Sequence, residues 1–183
     1  YYRQYYNDMG TEDRLKNMNR SVASDWTVPV TVSNLSFSNL DNLKDSVIYN
    51  YTVDVKNGIQ DVAGMKIFKF PWTDAITSLS FVSLDTRKYP LEFWTYIYSN
   101  REEEQIEMIL PAGTQFVESP KNVKLDCAVA SYELIFNTDK SGKITGKRIF
   151  TKKKDLLLPE EYAEFKNFIT QISESENKQY AIK

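Results

Sequence analysis

Residues 132–172 read YELIFNTDKSGKITGKRIFTKKKDLLLPEEYAEFKNFITQI and predict a strand, a tight turn, a second strand and a helix, in that order. Apolar and polar residues alternate over 132–136, and a second strand is predicted over 144–150. The run 137–142 between them is rich in turn-forming residues. Pro159 then opens an amphipathic helix, because the apolar residues after it recur on one helical face. That face carries Tyr162, Phe165, Phe168, Ile169 and Ile172.

The two-residue period recurs along most of the chain. It is clearest from Ser46 to Val55, where one face is apolar and the other polar, a pattern that favours an antiparallel sheet. Other predicted strands cover 28–37 with a bulge at Ser33-Asn34, 65–70, a stretch around Leu79 and Phe81, 91–99, 105–110, 116–117, 123–129 and 179–183. Residues 100–103 are predicted as a charged hairpin loop. Short strands separated by frequent turn signals predict a mainly β protein, an antiparallel immunoglobulin-like β-sandwich with an N-terminal helix and a C-terminal amphipathic helix.

The first 26 residues predict helix rather than strand. Apolar residues are spaced for one helical face, Gly10 interrupts them, and Thr11 is predicted to cap a second segment. We therefore expect a helical connector over residues 1–26 and the β-sandwich domain over residues 27–183.

Composition restricts the classes of function. The chain has 183 residues, with 23 Lys and Arg against 25 Asp and Glu, and this balance argues against nucleic acid as a partner. It has no histidine and a single cysteine, so Cys-His and Ser-His-Asp catalytic sets cannot be built from this chain alone. It also has no 18-residue apolar run, so we expect no direct membrane insertion. The sequence predicts no catalytic residues, no metal site and no cofactor.

Two motifs imitate binding sites but have simpler explanations. Residues 137–144 match the first eight positions of an EF-hand calcium loop, yet Arg148 stands where the bidentate Glu belongs and strands flank the loop. A hairpin turn requires the same residue types. The basic run 152–154 adjoins acidic residues, which favours a solvated edge with local ion pairs over a phosphate site.

Carboxylates and the cysteine also have structural interpretations. The glutamate triplet at 102–104 suits a hairpin tip, and the glutamate pair at 160–161 suits the first turn of a helix. Cys127 alternates inward with valine and leucine, which predicts a small buried side chain and not a nucleophile.

An aromatic group on the predicted strand 91–99 is the low-ranking candidate for ligand binding. Trp94, Tyr96 and Tyr98 fall on one face of that strand. Exposed, they would form a stacking platform for a glycan or a docking patch for another protein. Buried, they would form one side of the core, which is the usual place for large aromatic residues.

Three motifs carry a resemblance to a known family. They are RKYPLEF at 87–93, ILPAG at 109–113 with FVESP at 116–120, and LPEEYAEFKNF at 158–168. In this order they resemble the C-terminal, non-catalytic β domain of bacterial transglutaminase-like proteins, chiefly from the Bacteroides group, a domain of unknown function. The resemblance covers most of the chain from Val28 onward.

The resemblance implies a function that the residues alone do not. In that family a papain-like core with a Cys-His-Asp triad precedes this region, and none of the triad matches a position here. The resemblance thus implies a non-catalytic accessory domain of a secreted or surface protein, packing on or positioning the upstream catalytic domain of the same polypeptide. Because family members commonly carry export signals, it also implies a periplasmic or cell-surface location. The alternative is an independent glycan- or peptide-binding module of an exported protein.

Overall fold

The structure, a computed structural model, describes residues 2–24, 29–45, 47–56, 58–72, 75–76, 79–93, 100–139 and 143–183. Within these ranges the helices are α1 (Tyr2–Asn7), α2 (Thr11–Ser24) and α3 (Tyr162–Glu176), with single 3-10 turns at Ser80–Val82 and Pro159–Glu161. The strands are β1 (Val30–Ser38), β2 (Ile48–Val55), β3 (Gln60–Val62), β4 (Met65–Lys69), β5 (Leu91–Glu92), β6 (Arg101–Ile109), β7 (Val123–Asp126), β8 (Ala130–Thr138), β9 (Lys143–Lys152), β10 (Leu156–Leu157) and β11 (Gln179–Ile182).

The chain divides into two compact units, Tyr1–Gln60 and Asp61–Lys183. The predicted boundary near Trp26 to Val28 falls on residues 25–28, which lie outside the described residues, so it stays a prediction. None of the helices in the described ranges is both long and apolar enough to cross a membrane.

The first unit packs two short helices on a β-hairpin. The chain leaves helix near Gly10 as predicted, but Thr11 is the first helical residue and not the cap, since the Gly10 carbonyl already accepts the Arg14 N–H at 3.0 Å. β1 and β2 pair antiparallel, and their register shifts between Ser33 and Ser36, which confirms the predicted bulge. The core of this unit contains Tyr6, Met18, Val22, Val32 and Leu40.

The second unit is built on antiparallel sheets. Its largest sheet has the order β6-β9-β8-β7, and β11 pairs with β4 in the order β11-β4-β3. β10 pairs with β5, and Phe116 bridges Ile182 at the far edge of β11. The mainly β class and the predicted final strand are thus confirmed among the described residues.

α3 packs its apolar stripe into the core of the second unit. Every residue predicted for that stripe is at most 3% exposed: Tyr162, Phe165, Phe168, Ile169 and Ile172. Opposite them lie the inward residues of β8 and β9, among them Leu134 and Ile144. Burial of this much aliphatic and aromatic surface is the main stabilising term of the unit, at about 25 cal/mol per Å².

Two predicted elements are wrong, each for a local reason. The strand expected around Leu79 and Phe81 is a 3-10 turn at Ser80–Val82, because an apolar run this short does not distinguish a strand from a helical turn. The charged loop expected at 100–103 is the start of β6, where Glu103 is neutralised by Lys147 across the strand pair. The predicted strand 91–99 begins as β5, and residues 94–99 lie outside the described residues.

Candidate functional site

The aromatic candidates Trp94, Tyr96 and Tyr98 lie outside the described residues. Their neighbour Phe93 is fully buried and makes an edge-to-face contact with Phe165 at 5.0 Å between ring centroids. The described start of this strand therefore belongs to the core.

The calcium-like loop and the basic run 152–154 have structural roles among the described residues. β8 and β9 flank the calcium-like loop, and the Asp139 side chain accepts the Lys143 N–H at 3.1 Å, as in a hairpin turn. Lys152 pairs with Asp155 at 2.5 Å, and Lys154 pairs with Glu161, which confirms the predicted ion pairing of the basic run.

Cys127 is buried, as its alternation predicts. It is 4% exposed, and burial raises the pKa of its thiol, which keeps the sulfur protonated and unreactive near neutral pH.

A buried ionic cluster is the chemically most unusual feature of the described residues. It joins Glu176 at the end of α3, Tyr132 of β8, Arg148 of β9 and Glu104 of β6. Glu176 is 4% exposed, and one of its carboxylate oxygens accepts hydrogen bonds from the Tyr132 hydroxyl at 3.0 Å and from Arg148 Nη1 at 2.8 Å. Arg148 Nε lies 2.7 Å from Glu104 Oε2. We call these four residues the ionic cluster.

Strand register and helical period place these side chains together. Glu104 and Arg148 are directly opposed in the β6–β9 pair, and Arg148 is opposed to Leu134 on its other side. All three point to the inward face of the sheet. Glu176 follows Ile172 by four positions, so it continues the buried stripe of α3.

The ionic cluster also fixes a connecting segment. The second oxygen of Glu176 accepts the Ile76 N–H at 2.8 Å, and the Ile76 carbonyl accepts Ser173 Oγ at 2.7 Å and Asn177 Nδ2 at 3.0 Å. Side chains from the end of α3 thus satisfy both backbone groups of Ile76, as a neighbouring strand would do in a sheet.

Trp72 closes the cluster from another side. The Arg148 guanidinium lies 5.7 Å from the centroid of the Trp72 ring, in a cation–π contact. A Cβ at Gly146 would come within 3.0 Å of the Trp72 ring and 3.2 Å of the Phe136 ring. The absence of a side chain at Gly146 therefore lets the Trp72 and Phe136 rings approach β9 closely.

Burial and charge shape the ionisation of the cluster. Burial raises the pKa of the Tyr132 hydroxyl, and the adjacent Glu176 charge raises it further, so Tyr132 remains a neutral donor. Burial by itself would lower the pKa of Arg148, but Glu176 and Glu104 reverse this effect and raise it. The guanidinium stays charged and paired.

Sequence reasoning missed this cluster, although its signals are present. Arg148 occupies an inward position between Gly146 and Phe150, and Glu176 falls on the apolar stripe of α3. A charge at an inward position predicts a buried partner, yet the identity of that partner depends on strand pairing and on where α3 docks. The cluster organises the interior, since its carboxylates and guanidinium are engaged with one another and with the backbone.

The second unit is thus an antiparallel β domain with one packed helix and an internal ionic cluster. Residues 64–182 match the family described as "Domain of Unknown Function with solved-structure structure (DUF3858)". Because the match covers well over half of the chain, the chain belongs to this family.

A comparison of structures gives one further similarity. The chain resembles the crystal structure of "a putative protease" from Parabacteroides distasonis, with a TM-score of 0.51 and 19% sequence identity. The match covers 64% of this chain and 23% of that chain. At this identity the similarity shows a shared fold. No curated protein matches the sequence.

Proposed function

We propose that this chain is a non-catalytic accessory domain of a secreted or surface transglutaminase-like, protease- or amidase-like protein, and that it packs on or positions the catalytic domain of the same polypeptide. The observation that carries the proposal is the family match over 64–182, combined with the structural similarity to a region that makes up 23% of a longer protein chain. A periplasmic or cell-surface location is part of the same proposal.

The interior of the second unit supports this role. Glu176, Arg148 and Tyr132 are ionisable side chains of the ionic cluster. Their hydrogen bonds hold β8, β9 and the segment at Ile76 against α3. Because these buried charged groups bind one another and stabilise the domain, they suit a domain that positions another one. The proposal includes the immunoglobulin-like sandwich as the arrangement of its sheets.

The alternative, an independent glycan- or peptide-binding module, rests on Trp94, Tyr96 and Tyr98. Since these residues lie outside the described ranges, the alternative stays a prediction. Loss of glycan binding in Trp94→Ala, with folding unchanged, would favour it.

Enzymatic assay of the protein as it is encoded tests the proposal. Peptide hydrolysis and glutamine–lysine crosslinking are measured for the full polypeptide and for the 183-residue chain. We expect turnover only in the full polypeptide, from a Cys-His-Asp domain upstream. Turnover by the 183-residue chain alone, or a full polypeptide without such a domain, would contradict the proposal.

A further inference from the structure

α1 is too short to be stable through its own hydrogen bonds. In the described part of the chain it covers six residues, Tyr2–Asn7, and the chain leaves helical conformation before α2 begins at Thr11. Isolated helices shorter than about 12 residues are marginal in water, because nucleation costs more than a few hydrogen bonds return. Contacts with the rest of the first unit therefore keep α1 folded.

Arg3 joins α1 to the connection between β1 and β2. Its guanidinium donates hydrogen bonds to three backbone carbonyls of that connection, those of Asn39, Asn42 and Asp45. The connection has internal order of its own, since Asn42 Nδ2 donates to Asp45 Oδ2 at 2.6 Å. A guanidinium suits such a set of carbonyls, because its planar fork carries several donors in a fixed geometry.

Two further contacts lie at the other end of α1. Tyr6 is 4% exposed, and its ring centroid lies 4.7 Å from that of Phe37 on β1. Arg14 of α2 donates to the Tyr6 carbonyl at 2.7 Å and to the Asn7 carbonyl at 3.3 Å, which satisfies carbonyl groups at the end of the helix. Among the described side chains of α1, Tyr6 alone is buried, so α1 contributes little to the core of the unit.

α2 and the hairpin of β1 and β2 are joined by contacts that do not involve α1. Met18 and Val22 of α2 lie in the same core cluster as Val32 of β1. Asn19 Oδ1 accepts the Val32 N–H at 2.7 Å, and Asn19 Nδ2 donates to the Val32 carbonyl at 3.2 Å, as a neighbouring strand would do. Release of α1 would withdraw Tyr6 from the core and leave these contacts in place.

We propose that α1 is a releasable strap on the first unit: Arg3 holds it to the connection between β1 and β2, and it opens as one element while α2 and the hairpin stay folded. Gly10, between the two helices, supplies the backbone freedom for this opening. Opening takes the Tyr6 ring away from Phe37 and increases the exposed area of the hairpin. The strap lies outside residues 64–182, which match the family, and does not depend on the proposed function.

Hydrogen exchange of the 183-residue chain under native conditions tests this proposal. The amides of residues 6–8 report on α1, and the Val32 amide, held by Asn19, reports on the contact between α2 and the hairpin. In the natural chain we expect the first group to exchange faster. Arg3→Ala should accelerate that group at least about tenfold and leave the Val32 amide unchanged. Arg20→Ala is the matched control, since Arg20 is exposed on α2 and should change neither.

Three results would overturn the proposal. The first is equal acceleration of residues 6–8 and of Val32 in Arg3→Ala, which would make the first unit one cooperative element. The second is exchange in Arg3→Ala that matches the natural chain, and the third is the same acceleration in Arg20→Ala. Arg3→Lys should give an intermediate rate, because an ammonium lacks the planar fork. A natural rate in Arg3→Lys would overturn the role assigned to the guanidinium.

Discussion

Glu176 accepts hydrogen bonds from β8, from β9 and from the backbone at Ile76. Removal of the Glu176 carboxylate would take away one of the negative charges that balance the buried Arg148 guanidinium. It would also remove the acceptor of the Ile76 N–H. Breaking a buried ion pair by deleting one partner is far more costly than breaking an exposed pair.

We therefore predict that Glu176→Ala destabilises the second unit by about 3–5 kcal/mol, measured by urea unfolding. Glu103→Ala is the control, because Glu103 pairs with Lys147 and Arg101 on the solvated face of β6. We expect a much smaller loss there. Similar small losses for both variants would show that the ionic cluster contributes little to stability.

Ala63 has a backbone conformation that alanine rarely adopts. Its φ is 50°, and Gly64 after it has a φ of 79°, as in the tight turns that join hairpin strands. We predict that Ala63→Gly stabilises the turn between β3 and β4 by about 0.5–1 kcal/mol, because glycine adopts this φ without a steric cost. The thermal midpoint should rise. Gly64→Ala should lower it, and a rise in both variants would contradict this explanation.

At the scale of elements, the start of α3 depends on Glu161. Its carboxylate pairs with Lys154 and accepts the Leu158 N–H at 2.9 Å, which satisfies a backbone group ahead of the helix. The Lys154 ammonium, with this N–H, lowers the pKa of Glu161 below its ordinary value of 4.5. A lowered pKa contributes stability that is present above pH 4.5 and is lost as the pH falls through the lowered value.

We predict that Glu161→Gln lowers the melting temperature at pH 7, and that its difference from the natural chain shrinks as the pH falls below 4.5. Melting curves across the acid range measure this. Glu160→Gln, one residue away and exposed, is the control and should produce the smaller change. A difference that does not vary with pH would assign the effect to packing instead of charge.

Elements with strong periodicity could be predicted from sequence. The hairpin of β8 and β9 and the stripe of α3 follow from alternation and spacing that tertiary contacts reinforce. β6 begins at Arg101, four residues earlier than the predicted start at Gln105, because Lys147 and Arg148 across the strand pair compensate its glutamates. The ionic cluster could not be predicted, since it depends on strand register and on the docking of α3.

At the scale of the whole molecule, we propose that the second unit works as part of a longer polypeptide. Packing on another folded domain stabilises a unit by linkage, since docking adds interactions that the unfolded unit lacks. This effect does not depend on which residues make the contact, so it tests the accessory role directly.

Differential scanning calorimetry of the full polypeptide and of the 183-residue chain measures this stabilisation of the second unit. We predict that the unfolding transition of the second unit shifts to higher temperature in the full polypeptide, or merges with that of the proposed catalytic domain. A transition at the same temperature in both proteins would contradict the account.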